Sequence, residues 1–164
     1  MKKIKICFIS SSGGHFTELK KLGSLAKKYN SFLITEKTEN FKSDFCNKTY
    51  LVRENNRAEK TFIFHFFVLF LKSFFIFVKE RPNVIISTGA LVSYPICLLA
   101  KIFRKKIIFI ESFARIEDLS VTGKKIYPMA SLFFVQWKQL TEKYPKAKYA
   151  GNLFGEFELW FLLP

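Results

Sequence analysis

Residues 4–15 read Ile4-Lys5-Ile6-Cys7-Phe8-Ile9-Ser10-Ser11-Ser12-Gly13-Gly14-His15, a short apolar run that ends in a turn of small polar residues. The run is too short for the hydrophobic region of a signal peptide and meets the serines and glycines at once. It reads as a buried first strand followed by a strand-to-helix turn. Downstream, residues 15–28 have the period of a helix. Phe16, Leu19, Leu22 and Leu25 form its apolar stripe, Thr17 and Glu18 lie in the first turn, and Lys27 and Lys28 lie in the last. That charge order suits the helix dipole.

The same alternation continues outward. Further apolar runs at 32–35, 49–52, 84–88, 107–111, 132–136 and 148–151 predict strands, and patterns at 61–80, 91–104 and 138–144 predict helices. Strands without polar alternation are buried on both faces, and strands alternating with helices imply parallel pairing. The fold expected is α/β, a doubly wound, Rossmann-like parallel sheet. One domain spanning 1–164 accounts for the length.

Composition narrows the function classes. The chain has 27 Lys and Arg against 13 Asp and Glu, a formal charge of +14, and 21 Phe. A chain both basic and greasy fits an anionic membrane surface better than free solution. Nucleic-acid binding would rest on charge alone, since no nucleic-acid-binding motif is present. Cys7, Cys46 and Cys97 are odd in number and far apart, with no metal-ligand spacing. They point to a reducing compartment, with Cys7 and Cys97 as small core residues.

Residues 61–78, Thr-Phe-Ile-Phe-His-Phe-Phe-Val-Leu-Phe-Leu-Lys-Ser-Phe-Phe-Ile-Phe-Val, are apolar on all sides apart from Thr61, His65, Lys72 and Ser73. Eighteen helical residues reach about 27 Å, close to a hydrocarbon core. Three readings compete: a transmembrane span, a buried core helix, and a helix with one face on the sheet and the other in the bilayer. Arg53, Arg57, Lys60, Lys79 and Arg81 flank it and suit anionic headgroups.

Ligands in a doubly wound sheet bind at the carboxyl ends of the strands. Three loops there carry chemistry. Ser12, Gly13 and Gly14 allow close approach of an anion, and His15 is placed for proton transfer. Ser87-Thr88-Gly89-Ala90 forms a second small-residue turn. In Glu111-Ser112-Phe113-Ala114-Arg115, the carboxylate is suited to orient an imidazole or bind sugar hydroxyls, and Arg115 to pair with a phosphate or with Glu111. The stretch 119–125, ending in Lys124 and Lys125, reads as a polar, basic loop.

These residues together resemble the acceptor-side subunit of split, two-chain glycosyltransferases. The resemblance rests on Ser12-Gly13-Gly14-His15, Glu111-Ser112, Ala114-Arg115, Leu119-Ser120, Thr122-Gly123-Lys124, Tyr127, Val135-Gln136-Trp137 with Leu140, and Tyr149-Ala150-Gly151, in family order. Departures are Ser11-Ser12 in place of Gly-Ser and Ala130-Ser131 in place of Ala-Asp. The first strand has no membrane helix before it, which favours the bacterial branch, serving capsule and exopolysaccharide assembly.

The resemblance implies the N-terminal half of a GT-B glycosyltransferase, active with a separate donor-binding (UDP-sugar) chain. The acceptor would be a polyprenyl-diphosphate-linked saccharide, and no cofactor or metal is implied. His15 would be the proton acceptor, supported by Glu111. Ser12, Gly13, Gly14, Gly89, Ser112, Arg115 and Lys124 would hold diphosphate or sugar. The 61–80 helix, through Phe66, Phe67, Phe70 and Phe74, would keep the subunit on the cytoplasmic face of the membrane. The apolar tail 153–164, with Phe157, Trp160 and Phe161, would dock the partner or fold back. A non-catalytic scaffold that recruits and activates the partner is the alternative.

Overall fold

The computed structural model describes residues 4–39, 41–55, 58–155 and 157. Seven strands form one sheet: β1 (Lys5–Ser10), β2 (Asn30–Glu36), β3 (Thr49–Val52), β4 (Val84–Gly89), β5 (Lys106–Ile110), β6 (Leu132–Val135) and β7 (Ala147–Tyr149). Their order is β3-β2-β1-β4-β5-β6-β7, and every pairing is parallel. This is the doubly wound sheet expected.

Strand side chains alternate between faces, so each apolar run feeds two cores. Ile6 and Phe8 of β1 join Leu33, Ile86, Ile108 and Phe134 on one face. Cys7 and Ile9 join Phe32, Ile85, Ile107, Phe109 and Phe133 on the other. The first face is covered by α1 (Gly14–Lys20) and α2 (Gly23–Lys28) through Leu19, Leu22 and Leu25. The second is covered by α3 (Phe62–Glu80), α4 (Ser93–Ile102), α5 (Val121–Ile126) and α6 (Leu140–Lys143). Cys7 and Cys97 are fully buried, and burial pushes both thiols up, Cys97 to about 12.

Two local expectations are corrected. The 15–28 helix is two helices. Lys21 N–H and Leu22 N–H bond Glu18 O and Leu19 O in a tighter turn, and Gly23, a poor helix former, begins the second helix. The 119–125 loop contains α5, capped by the Ser120 hydroxyl, which accepts from Gly123 N–H at 2.9 Å. The tail, expected to dock the partner or fold back, folds back over its described residues. Leu153 is buried, and the Phe157 ring lies 5.8 Å from Phe134 in an edge-to-face contact. Phe157 is thus spent on its own domain, while Trp160 and Phe161 lie outside the described residues.

Helix α3 sets Leu69, Ser73, Ile76, Phe77 and Glu80 inward. Phe66 and Phe70 are half-buried against the same core, and Phe66 stacks on Tyr94. Of the four phenylalanines expected to meet the membrane, only Phe67 and Phe74 are exposed. The outward face is wider than those two: Ile63, Phe64, Phe67, Leu71, Phe74, Phe75 and Val78, with Ile63 81% and Phe75 67% exposed. Such a contiguous apolar face is rare on a soluble monomer. The inward face excludes a helix immersed in lipid on all sides, and the outward face excludes a buried core helix. Glu80 fixes the helix to the sheet by accepting from Lys5, Lys48 and Tyr50.

Candidate functional site

After β1 the chain crosses to α1 on one face, and after the neighbouring β4 it crosses to α4 on the other. Diverging loops open a crevice at such a switch point. A cleft of about 830 Å³ lies here, lined by His15, Glu54, Asn55, Ala90, Leu91, Ser112, Ala114, Arg115, Ser120, Val121 and Thr122.

His15 is clasped to the end of β4. Its Nδ1 is 2.8 Å from the Thr88 carbonyl, and the Thr88 hydroxyl donates back to the His15 carbonyl at 2.7 Å. A carbonyl only accepts, so Nδ1 carries the proton. In the neutral ring Nε2 then holds the free lone pair, the form a general base requires. Gly89, at φ 106, makes the fit possible. A Cβ there would sit 3.1 Å from His15 Nδ1 and Cε1, and the backbone is in the region that favours glycine.

The expected pairing of Glu111 with His15 is corrected. The Thr88 carbonyl holds the ring, and Glu111, 1% exposed, turns to the next loop. Its carboxylate accepts from Ser112 N–H and Ser120 N–H, both at 3.0 Å, and from the Ser120 hydroxyl at 3.1 Å. It thereby anchors the residue that caps α5. Burial pushes Glu111 up from the ordinary carboxylate range, and these donors partly offset that rise. Gly123 is required by the arrangement, because a Cβ would fall 1.9 Å from Glu111 Oε2.

A second buried carboxylate, Glu18, escaped the reading of the sequence. It accepts from the Ser112 hydroxyl at 2.9 Å, Phe113 N–H at 3.2 Å and Gln136 Nε2 at 3.2 Å, and burial pushes it up. It ties the helix bearing His15 to the loops after β5 and β6. The signal was present, since 18, 22 and 25 are spaced i, i+4, i+7, which puts Glu18 on the face of Leu22 and Leu25. Gln136 extends the clamp by donating to the Glu111 carbonyl and accepting from Leu153 N–H.

The remaining expected residues divide. Arg115 and Ser112 line the cleft with His15. Arg115 is exposed and forms no ion pair among the described residues. Gly13 precedes the first residue of α1, and Gly14 is exposed beside it. Ser12 N–H is taken by the Glu36 carboxylate at 3.4 Å. Lys124, expected at the diphosphate, is instead paired with Asp118, as is Lys143. Those lysines and the Tyr144 hydroxyl hold Asp118 well below the usual carboxylate range.

Comparison with known proteins places the chain in a family and supports its fold. Residues 6–153 match the family described as "Oligosaccharide biosynthesis protein Alg14 like". A human protein named UDP-N-acetylglucosamine transferase subunit ALG14 is 30% identical over 182 residues, covering 93% of this chain and 84% of its own length. A protein of the same name from Yarrowia lipolytica is 40% identical over 81 residues, covering 46% of this chain and 38% of its own. Among solved structures, the UDP-N-acetylglucosamine 2-epimerase of Rickettsia bellii superposes with a TM-score of 0.70 at 15% identity, over 93% of this chain and 46% of that one. MurG of Acinetobacter baumannii superposes with a TM-score of 0.61 at 10% identity, over 81% of this chain and 41% of that one. At these identities the structures speak for the fold alone, and this chain spans less than half of each. With a match running from within β1 to past β7, the chain belongs to the Alg14-like family of oligosaccharide biosynthesis proteins.

Proposed function

We propose that this chain is the acceptor-binding, membrane-associated subunit of a two-chain glycosyltransferase. The reaction transfers a sugar from a UDP-sugar to a polyprenyl-diphosphate-linked saccharide, in capsule or exopolysaccharide assembly at the cytoplasmic face of the cell membrane. The observation that carries this reading is His15, held by Thr88 with Nε2 as acceptor, in a cleft on the same domain as the outward apolar face of α3. A lipid-borne acceptor needs both a bilayer contact and a site for its reacting hydroxyl. The name of the human relative, a UDP-N-acetylglucosamine transferase subunit, supports the reaction class. In this reading the donor sugar is held by a partner chain, which the word subunit in the human relative's name supports.

In this reading the saccharide end of the acceptor enters the cleft beside Ser112, Arg115 and the Gly13–Gly14 turn. His15 Nε2 takes the proton of the attacking hydroxyl as the bond to the donor sugar's anomeric carbon forms and the UDP departs. The alternative is a scaffold that recruits and activates the partner. It is favoured by Glu111 and Glu18, whose hydrogen bonds go to holding loops. Reconstitution with the donor-binding chain on vesicles separates the two. His15→Ala is expected to lower turnover by about 10²-fold or more while partner and vesicle binding persist. Wild-type turnover in that variant overturns the catalytic role and leaves the scaffold.

A further inference from the structure

Lys72 is the one charge inside the apolar run of α3, and the fold gives it a neighbourhood. A pocket of about 460 Å³ lies between α3 and the ends of β2 and β3, lined by Lys37, Leu51, Arg53, Glu54, Glu59 and Lys72. That volume falls within the range of small-molecule sites, about 300–1,000 Å³. Lys37 leaves the end of β2, and its N–H bonds the Val52 carbonyl at 2.8 Å, which brings it alongside β3. Arg53 is paired with Glu59 at 3.3 Å. Lys37 and Lys72 form no ion pair among the described residues. Two cations without carboxylate partners and a guanidinium therefore converge, beside Leu51 and Leu71, which are exposed.

The pocket adjoins the cleft that holds His15. Glu54 lines both, and Asn55 lines the cleft and a small recess shared with Arg53 and Lys72. The turn at Gly13 is a poorer seat for a diphosphate. Its Ser12 N–H is already given to the Glu36 carboxylate, whereas the pocket sets Lys37, Arg53 and Lys72 against Glu54 and Glu59.

The geometry points to the Lys37–Arg53–Lys72 pocket as the seat of the acceptor's diphosphate. The saccharide runs past Glu54 and Asn55 to His15, and the polyprenyl chain leaves along the outward face of α3. This rests on the acceptor-binding reading above and moves the diphosphate from the glycine turn to the edge of the membrane helix. Lysines bind phosphate oxygens as point charges, and the Arg53 fork adds directed donors.

The test is vesicle binding by the full chain. Phosphatidylcholine vesicles carry either undecaprenyl diphosphate or phosphatidylglycerol at matched charge, and inorganic pyrophosphate serves as soluble competitor. Wild type is expected to prefer the diphosphate vesicles. Lys37→Gln/Lys72→Gln is expected to weaken that binding about tenfold, while binding to phosphatidylglycerol falls no more than in Lys27→Gln. Lys37→Arg/Lys72→Arg and His15→Ala should retain the preference, and pyrophosphate should reduce it. Both lysines are exposed and without ion pairs among the described residues, so the variants should keep the wild-type melting temperature. If wild type prefers diphosphate but the double Gln variant keeps the preference, or His15→Ala loses it, the pocket is overturned and the acceptor reading stands. Equal losses on both vesicles reduce the lysines to general lipid contacts and overturn the site. No preference in wild type overturns the site and the acceptor reading together.

Discussion

His15 gains its chemistry from a backbone atom. The Thr88 carbonyl selects its tautomer and leaves Nε2 as the nitrogen with a free lone pair. The neighbouring carboxylates serve position. Glu18 and Glu111 are buried, each accepts three hydrogen bonds, and both are pushed above the ordinary carboxylate value of 4.5. The folded state therefore binds protons at these groups more readily than the unfolded chain. Their contribution is greatest below 4.5 and is lost as pH rises through the raised folded values. Lowering pH from 7 towards 5 should raise the melting temperature, as thermal melts would show. A fall over that interval would remove them as the dominant groups. Gly123→Ala tests the packing beneath α5. With a Cβ 1.9 Å from Glu111 Oε2, it should cost about 1–3 kcal/mol in chemical denaturation, and unchanged stability would show that position 123 does not require glycine.

At the level of elements, α3 is two-faced. Its inner stripe belongs to the core, and its outer stripe of Ile63, Phe64, Phe67, Leu71, Phe74, Phe75 and Val78 is exposed. Replacing Phe64, Phe67 and Phe75 with Ser should leave the melting temperature near wild type, since they make few internal contacts. Vesicle co-sedimentation should fall by at least about tenfold, because each buried aromatic contributes about 2 kcal/mol. Unchanged vesicle binding would place the membrane contact elsewhere. The inner end is held by Glu80, whose lysine and tyrosine donors lower it to about 2 from 4.5. A depressed folded value means stability present above 4.5 and lost as pH falls from there towards 2. Glu80→Gln should therefore cost about 2 kcal/mol at pH 7, less than for a fully buried pair because Lys5 and Lys48 remain partly hydrated. It should also flatten the acid limb of the pH–stability curve.

Over the whole molecule, the proposed function has the +14 charge and the apolar face act on the same partner, a negatively charged bilayer. The sheet was legible in the sequence because its strands are apolar on both faces, and such runs leave few alternatives to a parallel, helix-covered sheet. The break between α1 and α2 was less legible, since Gly23 weakens a helix without dictating where it turns. Helix α5 was hidden because Val121-Thr122-Gly123-Lys124-Lys125-Ile126 carries no apolar stripe. The sequence by itself determined the layers, the switch-point loops and the greasy character of α3, since periodicity is a property of neighbours a few residues apart. Only the tertiary structure decided that Thr88 rather than Glu111 holds His15, that Glu18 meets Ser112 across 94 positions, and that Lys37, Arg53 and Lys72 share a pocket. Those distances are set by how strands and helices pack, which no local pattern encodes.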